Sequence, residues 1–221
     1  MTDVVTRRGL RRFLPTVSTF KAVLVQILAI LLAFATGAIV LSLTGYSPIQ
    51  AYSAMFRGAF GNIYGIGQTL TRATPITFTA IAFLFAFKSG LFNIGAEGQL
   101  IVGAMASAIV GVSFSGLPAP VHIALALLAG AVAGGLWGFI PAYLRARFGA
   151  HEVITTMMLS YVAIYLTSYM VNYPYKAPGW VAQTVPISES ARLPRILSPT
   201  QLSASLYLVL LLVVLTEYVL R

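Results

Sequence analysis

Amide and carboxylate side chains that could bind a polar solute are concentrated in residues 88–100, KSGLFNIGAEGQL. Asn93 and Gln99 each offer hydrogen-bond donors and acceptors, and Glu97 adds a carboxylate that accepts hydrogen bonds. Glycines interrupt the apolar sequence around them, so a single regular helix through the whole stretch is not expected. The stretch could line a binding site, or it could connect two helices.

A second polar stretch follows at residues 144–161, LRARFGAHEVITTMMLSY. Glu152 could form an ion pair with Arg145 or Arg147, or it could stabilise the N-terminus of the next helix. Thr155 and Thr156 carry hydroxyl groups that could bond their own backbone or a neighbouring helix. This stretch therefore offers either helix-end chemistry or contacts between helices.

The sequence lacks the groups that catalysis would need. The chain has no cysteine, which excludes disulfides, thiolate metal sites and cysteine nucleophiles. No P-loop, zinc-protease, nucleophile-elbow or dinucleotide-binding motif is present, and His122 and His151 have no ligand partner at metal spacing. The sequence thus predicts a protein that is not an enzyme and that binds no metal or cofactor itself.

The composition predicts a membrane protein. Hydrophobic residues make up 58% and charged residues 9% of the 221 residues, whereas soluble domains are about one-quarter charged. Six spans of roughly 20 residues would fit this length. We expect an all-α, polytopic transmembrane helix bundle in which a basic N-terminus, 1–20, precedes one membrane domain, 21–221. The predicted spans lie near 21–43, 71–87, 95–114, 121–144, 153–171 and 202–220.

The formal net charge of +9 indicates orientation rather than nucleic-acid binding, because the basic residues lie between apolar runs. With the N-terminus in the cytoplasm, nine of the 14 Lys and Arg residues face inward and five face outward. The inward residues are Arg7, Arg8, Arg11, Arg12, Lys21, Lys88, Arg145, Arg147 and Arg221. The outward residues are Arg57, Arg72, Lys176, Arg192 and Arg195.

In this topology, residues 88–100 connect two membrane spans. Irregular backbone and an ionisable side chain persist at membrane depth only where they face protein or a water-filled path. One hypothesis is therefore a broken helix beside a transport route, with Asn93, Glu97 and Gln99 near the path. The alternative is a tight cytoplasmic turn in which Asn93 caps the next helix and Glu97 occupies its first turn.

Three further segments carry structural predictions. Residues 48–60 have apolar side chains at helical spacing and could form a short interfacial helix or an irregular loop. Residues 172–201 contain five prolines, which favours a structured external loop. Gly130, Gly134 and Gly138 repeat at four-residue intervals, a pattern typical of closely packed membrane helices.

FNIGAEGQL at 92–100, HEVITTMMLSY at 151–161 and YPYKAPG at 173–179 resemble one known family. These motifs are similar to those of permease subunits of ABC importers for nucleosides and simple sugars, in a wider family that includes branched-chain amino acid permeases. The resemblance covers most of the chain after the first span. It implies the fold of part of a type II ABC importer permease in a bacterial inner membrane.

The resemblance also implies partners. A second permease subunit, two cytoplasmic ATP-hydrolysing subunits and an extracytoplasmic solute-binding protein are expected, so that ATP is used by a partner. Asn93, Glu97 and Gln99 match the family's polar motif near the translocation path, and Glu152, Thr155 and Thr156 match its second motif. Family members usually continue for about four more spans, so we expect this chain to be an N-terminal portion of a permease.

Another transport mechanism is also compatible with the residues. Glu97 within an interrupted apolar segment would suit an ion-coupled secondary transporter or a channel. Such a carrier would lose uptake with an uncoupler while ATP stays high, whereas an importer permease would depend on its ATPase. A membrane-embedded enzyme is disfavoured because paired carboxylates, a triad and a metal cluster are all missing from the sequence.

Overall fold

A computed structural model describes residues 17–220 of the chain, and those residues confirm the predicted all-α fold. The described part forms seven α-helices and one short 3-10 helix, and its only strand-like pairings are two isolated bridges. The helices are α1 (Val17–Leu43), α2 (Pro48–Phe60), α3 (Ile63–Lys88), α4 (Ala96–Ser113), α5 (Ala119–Phe148), α6 (Glu152–Asn172) and α7 (Ser205–Leu220), with the 3-10 helix at Glu189–Ala191.

Five of these helices are long and apolar enough to cross a membrane, namely α1 and α3 to α6. The sixth apolar helix, α7, has 16 residues. These helices make the chain a polytopic helical bundle, as the composition predicts.

Each of the six helices predicted as spans begins at a residue other than the predicted one, by one to four residues for five of them and by eight for α3. The second span was expected from residue 71, but α3 begins at Ile63, so Arg72 lies inside a helix. Threonines in its first half are compatible with a helix because their hydroxyls donate to carbonyls one turn back, as Thr71 does to Gly67 at 2.8 Å. The last span was expected from residue 202, but α7 begins at Ser205, since Ala204 donates to the Pro194 carbonyl at 3.0 Å.

The described residues up to 62 form one compact unit, which contains α1 and α2. Residues 48–60 are helical: Ser47 accepts a hydrogen bond from the Gln50 amide, and Pro48 stands at the first position. The Tyr52 hydroxyl donates to the Phe34 carbonyl at 2.7 Å, and the two rings meet edge to face. These contacts hold α2 against α1 through one part-buried hydrogen bond and aromatic packing.

The described residues from 63 onward form the second compact unit, in which α4 packs mainly against α5 and also against α6. At the centre of the α4–α5 contact, a Cβ on Gly103 would lie only 2.8 Å from the Gly130 carbonyl oxygen. The Ser107 hydroxyl donates to the Ala126 carbonyl at 2.7 Å across the same contact. Small residues therefore let the two helix backbones approach closely, as the glycine spacing predicts for Gly130 and Gly134.

The connections of the second unit lie at opposite ends of the α4–α5 pair. The α3–α4 and α5–α6 connections meet at one end, where Leu91, Arg145 and Glu152 line a common cavity. The long segment 173–204 lies at the other end, where the Ser188 amide donates to the Gly111 carbonyl at 2.9 Å. The predicted structured loop is thus held against the bundle.

His122 is the main anchor of this segment and is fully buried. Its Nε2 donates to the Val110 carbonyl at 3.1 Å, because a carbonyl oxygen can only accept. Its Nδ1 lies 2.8 Å from the Ser190 hydroxyl, next to the 3-10 helix. One imidazole therefore joins α4, α5 and segment 173–204.

Two glycines, one within the α4–α5 contact and one outside it, allow the close packing of these helices to be tested. We expect Gly103→Ala to destabilise the fold by about 1–3 kcal/mol, because its Cβ would press on backbone that cannot rotate away. Gly135→Ala on α5 should be neutral or slightly stabilising, since a Cβ there meets nothing within 4 Å. Unfolding of the purified chain in mixed micelles, followed by helicity, measures both; equal stabilities would contradict this packing.

Candidate functional site

The first polar stretch, residues 88–100, connects α3 to α4. Of the two backbone arrangements considered for it, a broken helix and a tight turn, the structure contains the turn. Helix α3 ends at Lys88, and Gly90 follows with φ of +77°, a left-handed conformation that favours glycine. The Leu91 amide then donates to the Ala86 carbonyl at 2.9 Å, which satisfies one of the last carbonyls of α3. This ending reverses the chain toward α4.

Asn93 and Gln99 bind each other across this turn. Asn93 Nδ2 donates to Gln99 Oε1 at 3.4 Å, and Gln99 Nε2 donates to Asn93 Oδ1 at 3.3 Å. Asn93 Oδ1 also accepts from the Gly95 amide at 3.0 Å. The prediction that Asn93 caps α4 is wrong in position: the capping residue is Gly95, and Asn93 stabilises the preceding turn instead. Glu97 does occupy the first turn of α4.

The two predicted motifs meet at Thr156. The Ile94 amide donates to Thr156 Oγ1 at 3.2 Å, and the Thr156 hydroxyl donates to the Glu152 carbonyl at 2.7 Å. A Cβ on Gly95 would lie 2.9 Å from the Thr156 carbonyl oxygen. One turn further, a Cβ on Gly98 would lie 2.7 Å from Ser160 Cα. Gly95 and Gly98 therefore allow the backbone of α6 to approach closely.

Charged residues border this junction. Arg145 Nε lies 3.1 Å from Glu152 Oε2, so one of the two ion pairs considered from the sequence is present. The pair is partly exposed and contributes about 0–1 kcal/mol. It lies beside a cavity of about 120 Å³ that Asn93 and Thr156 also line. Thr155, in contrast, donates only to carbonyls of its own helix, His151 and Glu152.

Glu97 faces away from this junction. It is exposed, and among the described residues its carboxylate has no hydrogen-bond or ion-pair partner. It lines an open cavity of about 690 Å³ between α3 and α4, together with Thr79, Phe83 and Asn93. The three predicted path residues thus separate into a mutually bonded amide pair and a carboxylate that faces an apolar cavity.

The topology anchors of the described region lie near the junction end. Lys88 is the last residue of α3, and Arg145 and Arg147 stand in the last turn of α5; all three are exposed. The other four predicted anchors, Arg7, Arg8, Arg11 and Arg12, lie outside the described residues.

Two side chains form interhelical contacts that the sequence did not predict. Besides His122, Trp137 on α5 donates its indole N–H to the Leu159 carbonyl on α6 at 3.2 Å. Both are polar groups within apolar segments, which is the signal that could have marked them as contact residues.

These observations define a class of protein: a multi-pass helical membrane protein with a polar, glycine-rich junction at one end of its bundle. Residues 65–221 match the family described as the branched-chain amino acid transport system permease component. The chain belongs to that family, whose members are transport permeases rather than enzymes. No solved structure gave a significant match.

Three relatives show the similarity in detail. The chain is 50% identical to the guanosine ABC transporter permease protein NupP of Bacillus subtilis over 67% of its own length and 42% of the relative. It is 41% identical to the nucleoside permease protein NupB of Lactococcus lactis, over 69% and 42% of the two chains. It is 39% identical to the glucose permease protein TsgB13 of Haloferax volcanii, over 81% and 47%. The chain therefore spans less than half the length of these relatives.

Adjacent threonines on α6 test the junction. We expect Thr156→Val to destabilise the fold by about 1–3 kcal/mol, because the Ile94 amide would lose its acceptor in a part-buried position. Thr155→Val should change stability much less, since that hydroxyl bonds only its own helix. Unfolding free energies, together with hydrogen exchange at the Ile94 amide, measure the difference. Unchanged protection of that amide in Thr156→Val would contradict the assigned contact.

Proposed function

We propose that this chain forms part of the membrane-spanning permease subunit of an ATP-driven importer, and that it lines the path of a nucleoside or simple sugar. The family match over residues 65–221 carries the proposal, because that range contains both polar motifs. The relatives named for guanosine, nucleosides and glucose support these solute classes over amino acids.

The partners follow from the same assignment. A second permease subunit would complete the path, two cytoplasmic ATP-binding subunits would hydrolyse ATP, and an extracytoplasmic protein would deliver the solute. The chain itself needs no cofactor for this role. ATP-driven movement of the cytoplasmic subunits would switch the path between outward and inward states.

The proposed orientation places the N-terminus and the junction end in the cytoplasm. Lys88, Arg145 and Arg147 near that end support this orientation, because basic residues are retained on the cytoplasmic side. Segment 173–204 then lies on the outside. Within this arrangement, Glu97 and the cavity between α3 and α4 border the inner half of the path. Asn93 and Gln99 hold the connection that leads into the first turn of α4, where Glu97 lies.

Glu97 provides the direct test of the path. In the full-length permease with its partners, we expect Glu97→Ala to reduce uptake about tenfold, the loss of one hydrogen bond to a charged group, while the complex still assembles. Glu189→Ala removes an exposed carboxylate from segment 173–204 and serves as the control. Labelling of Glu97→Cys is compared with labelling of the unsubstituted importer, and residues 1–221 contribute no cysteine of their own. A position 97 sealed from a water-soluble maleimide in every state of the importer would overturn the proposed path.

The energy source separates this proposal from an ion-coupled carrier. We expect uptake by the assembled importer to persist with an uncoupler while ATP is held high, and to stop when the P-loop lysine of the ATPase partner is replaced. Radiolabelled guanosine and glucose in cells or proteoliposomes are the probes. Uptake that collapses with the uncoupler at constant ATP would instead identify a secondary transporter.

A further inference from the structure

A second cavity beside α3 has a different chemical character from the Glu97 cavity. It has a volume of about 250 Å³ and lies between α3, α4 and the start of α7. Its lining residues are Thr71, Thr74, Pro75, Phe78, Leu100, Gln201, Leu202, Ser203 and Ser205. Pro75 and Leu100 also line the Glu97 cavity, so the two cavities are neighbours along α3 with these two residues between them.

The hydroxyls on α3 present hydrogen-bond acceptors to this cavity. The Thr71 and Thr74 hydroxyls donate to the Gly67 and Leu70 carbonyls, at 2.8 and 2.9 Å. Each hydroxyl has one hydrogen, so both donors are used and the oxygen lone pairs remain available. Pro75 adds a further acceptor, because it cannot give the Thr71 carbonyl the amide hydrogen that a helix would normally supply.

The opposite wall contributes donors. Ser203 and Ser205 share one hydrogen bond of 2.8 Å between their hydroxyls, which leaves one of the two hydrogens free to donate. The Gln201 side chain is exposed and carries both an amide donor and an amide acceptor. The cavity therefore offers acceptors on α3 and donors on the segment that leads into α7.

The lining selects for a neutral solute. None of the described residues that line the cavity is charged, so a zwitterionic amino acid would leave its charges unpaired there. Phe78 provides an apolar face, and the volume lies just below the roughly 300–1,000 Å³ of ordinary ligand pockets. A sugar ring, whether free or as the ribosyl part of a nucleoside, matches this size and this alternation of apolar and hydroxyl surface.

We propose that this cavity is a solute subsite that binds the hydroxyl groups of a sugar or ribosyl ring, and that Leu100 with Pro75 forms the constriction between it and the Glu97 cavity. The inference rests on the proposed function and extends it: it assigns the recognition of hydroxyl groups to α3 and residues 201–205. The carboxylate of Glu97 lies beyond the constriction and takes no part in this recognition.

The test measures discrimination between a hydroxylated solute and its deoxy analogue. The full-length permease, assembled with its partners in proteoliposomes, is offered guanosine with 2′,3′-dideoxyguanosine, and glucose with 2-deoxyglucose. For whichever solute is transported, we expect the double variant Thr74→Val/Ser203→Ala to raise the KM about tenfold, which corresponds to the loss of about one hydrogen bond. The KM of the deoxy analogue should remain nearly unchanged. The preference for hydroxyl groups should fall by the same factor.

Matched variants keep the test falsifiable. Thr77→Val removes a hydroxyl from the same helix that bonds the Ala73 carbonyl in the same way but lines neither cavity, and should keep the wild-type preference. Gln201→Leu changes an exposed side chain and should lower the preference even if the double variant fails to assemble. Wild-type preference in Gln201→Leu and the double variant would overturn the subsite while leaving the permease assignment intact. A wild-type importer that transports neither guanosine nor glucose would overturn both.

Discussion

The close approach of the α4 backbone to α5 and α6 is the constraint on which the second unit depends. In lipid, apolar side chains gain little by leaving one hydrocarbon surface for another, so helices associate through van der Waals contact and interhelical hydrogen bonds. Glycines at positions 98, 103 and 130 remove the side chains that would keep the backbones apart. Ser107, Trp137 and Thr156 then reach carbonyl or amide groups of the neighbouring helix or turn.

This constraint divides the unit into a tightly joined part and a more open part. Helices α4 to α6 are fixed to one another, and the Asn93–Gln99 pair fixes the turn that enters α4. Helix α3 contacts α4 and α7 less closely than α4 contacts α5 and α6, and the cavities of about 690 and 250 Å³ both lie along it. The proposed solute path therefore follows the helix whose hydroxyls and proline leave polar groups available, rather than the junction where polar groups are already paired.

Local sequence predicted the elements, and long-range contacts decided the roles of individual residues. Apolar length predicted the spans, and glycine with asparagine predicted the irregular segment before α4. The partner of Asn93 was not predictable, because Gln99 becomes its neighbour only after the turn closes. The second span was predicted from residue 71 although α3 begins at Ile63, since the bond from the Thr71 hydroxyl to the Gly67 carbonyl forms only when the helix is present. His122 stands out as a polar group in an apolar segment, but its partner was not predictable, because Ser190 lies 68 residues away.

Segment 173–204 is attached to the helices at two separate places. Ser188 and Ser190 bond to α4 and α5, and the fully buried Thr200 lies close to Gly67 of α3. A loop held in this way has already lost most of its conformational entropy when the protein folds. A macromolecule that docks on this face would meet a preorganised surface, so little of its binding free energy would be spent on ordering the loop. Association there would be governed by shape and charge, and its rate would be close to that of two rigid bodies.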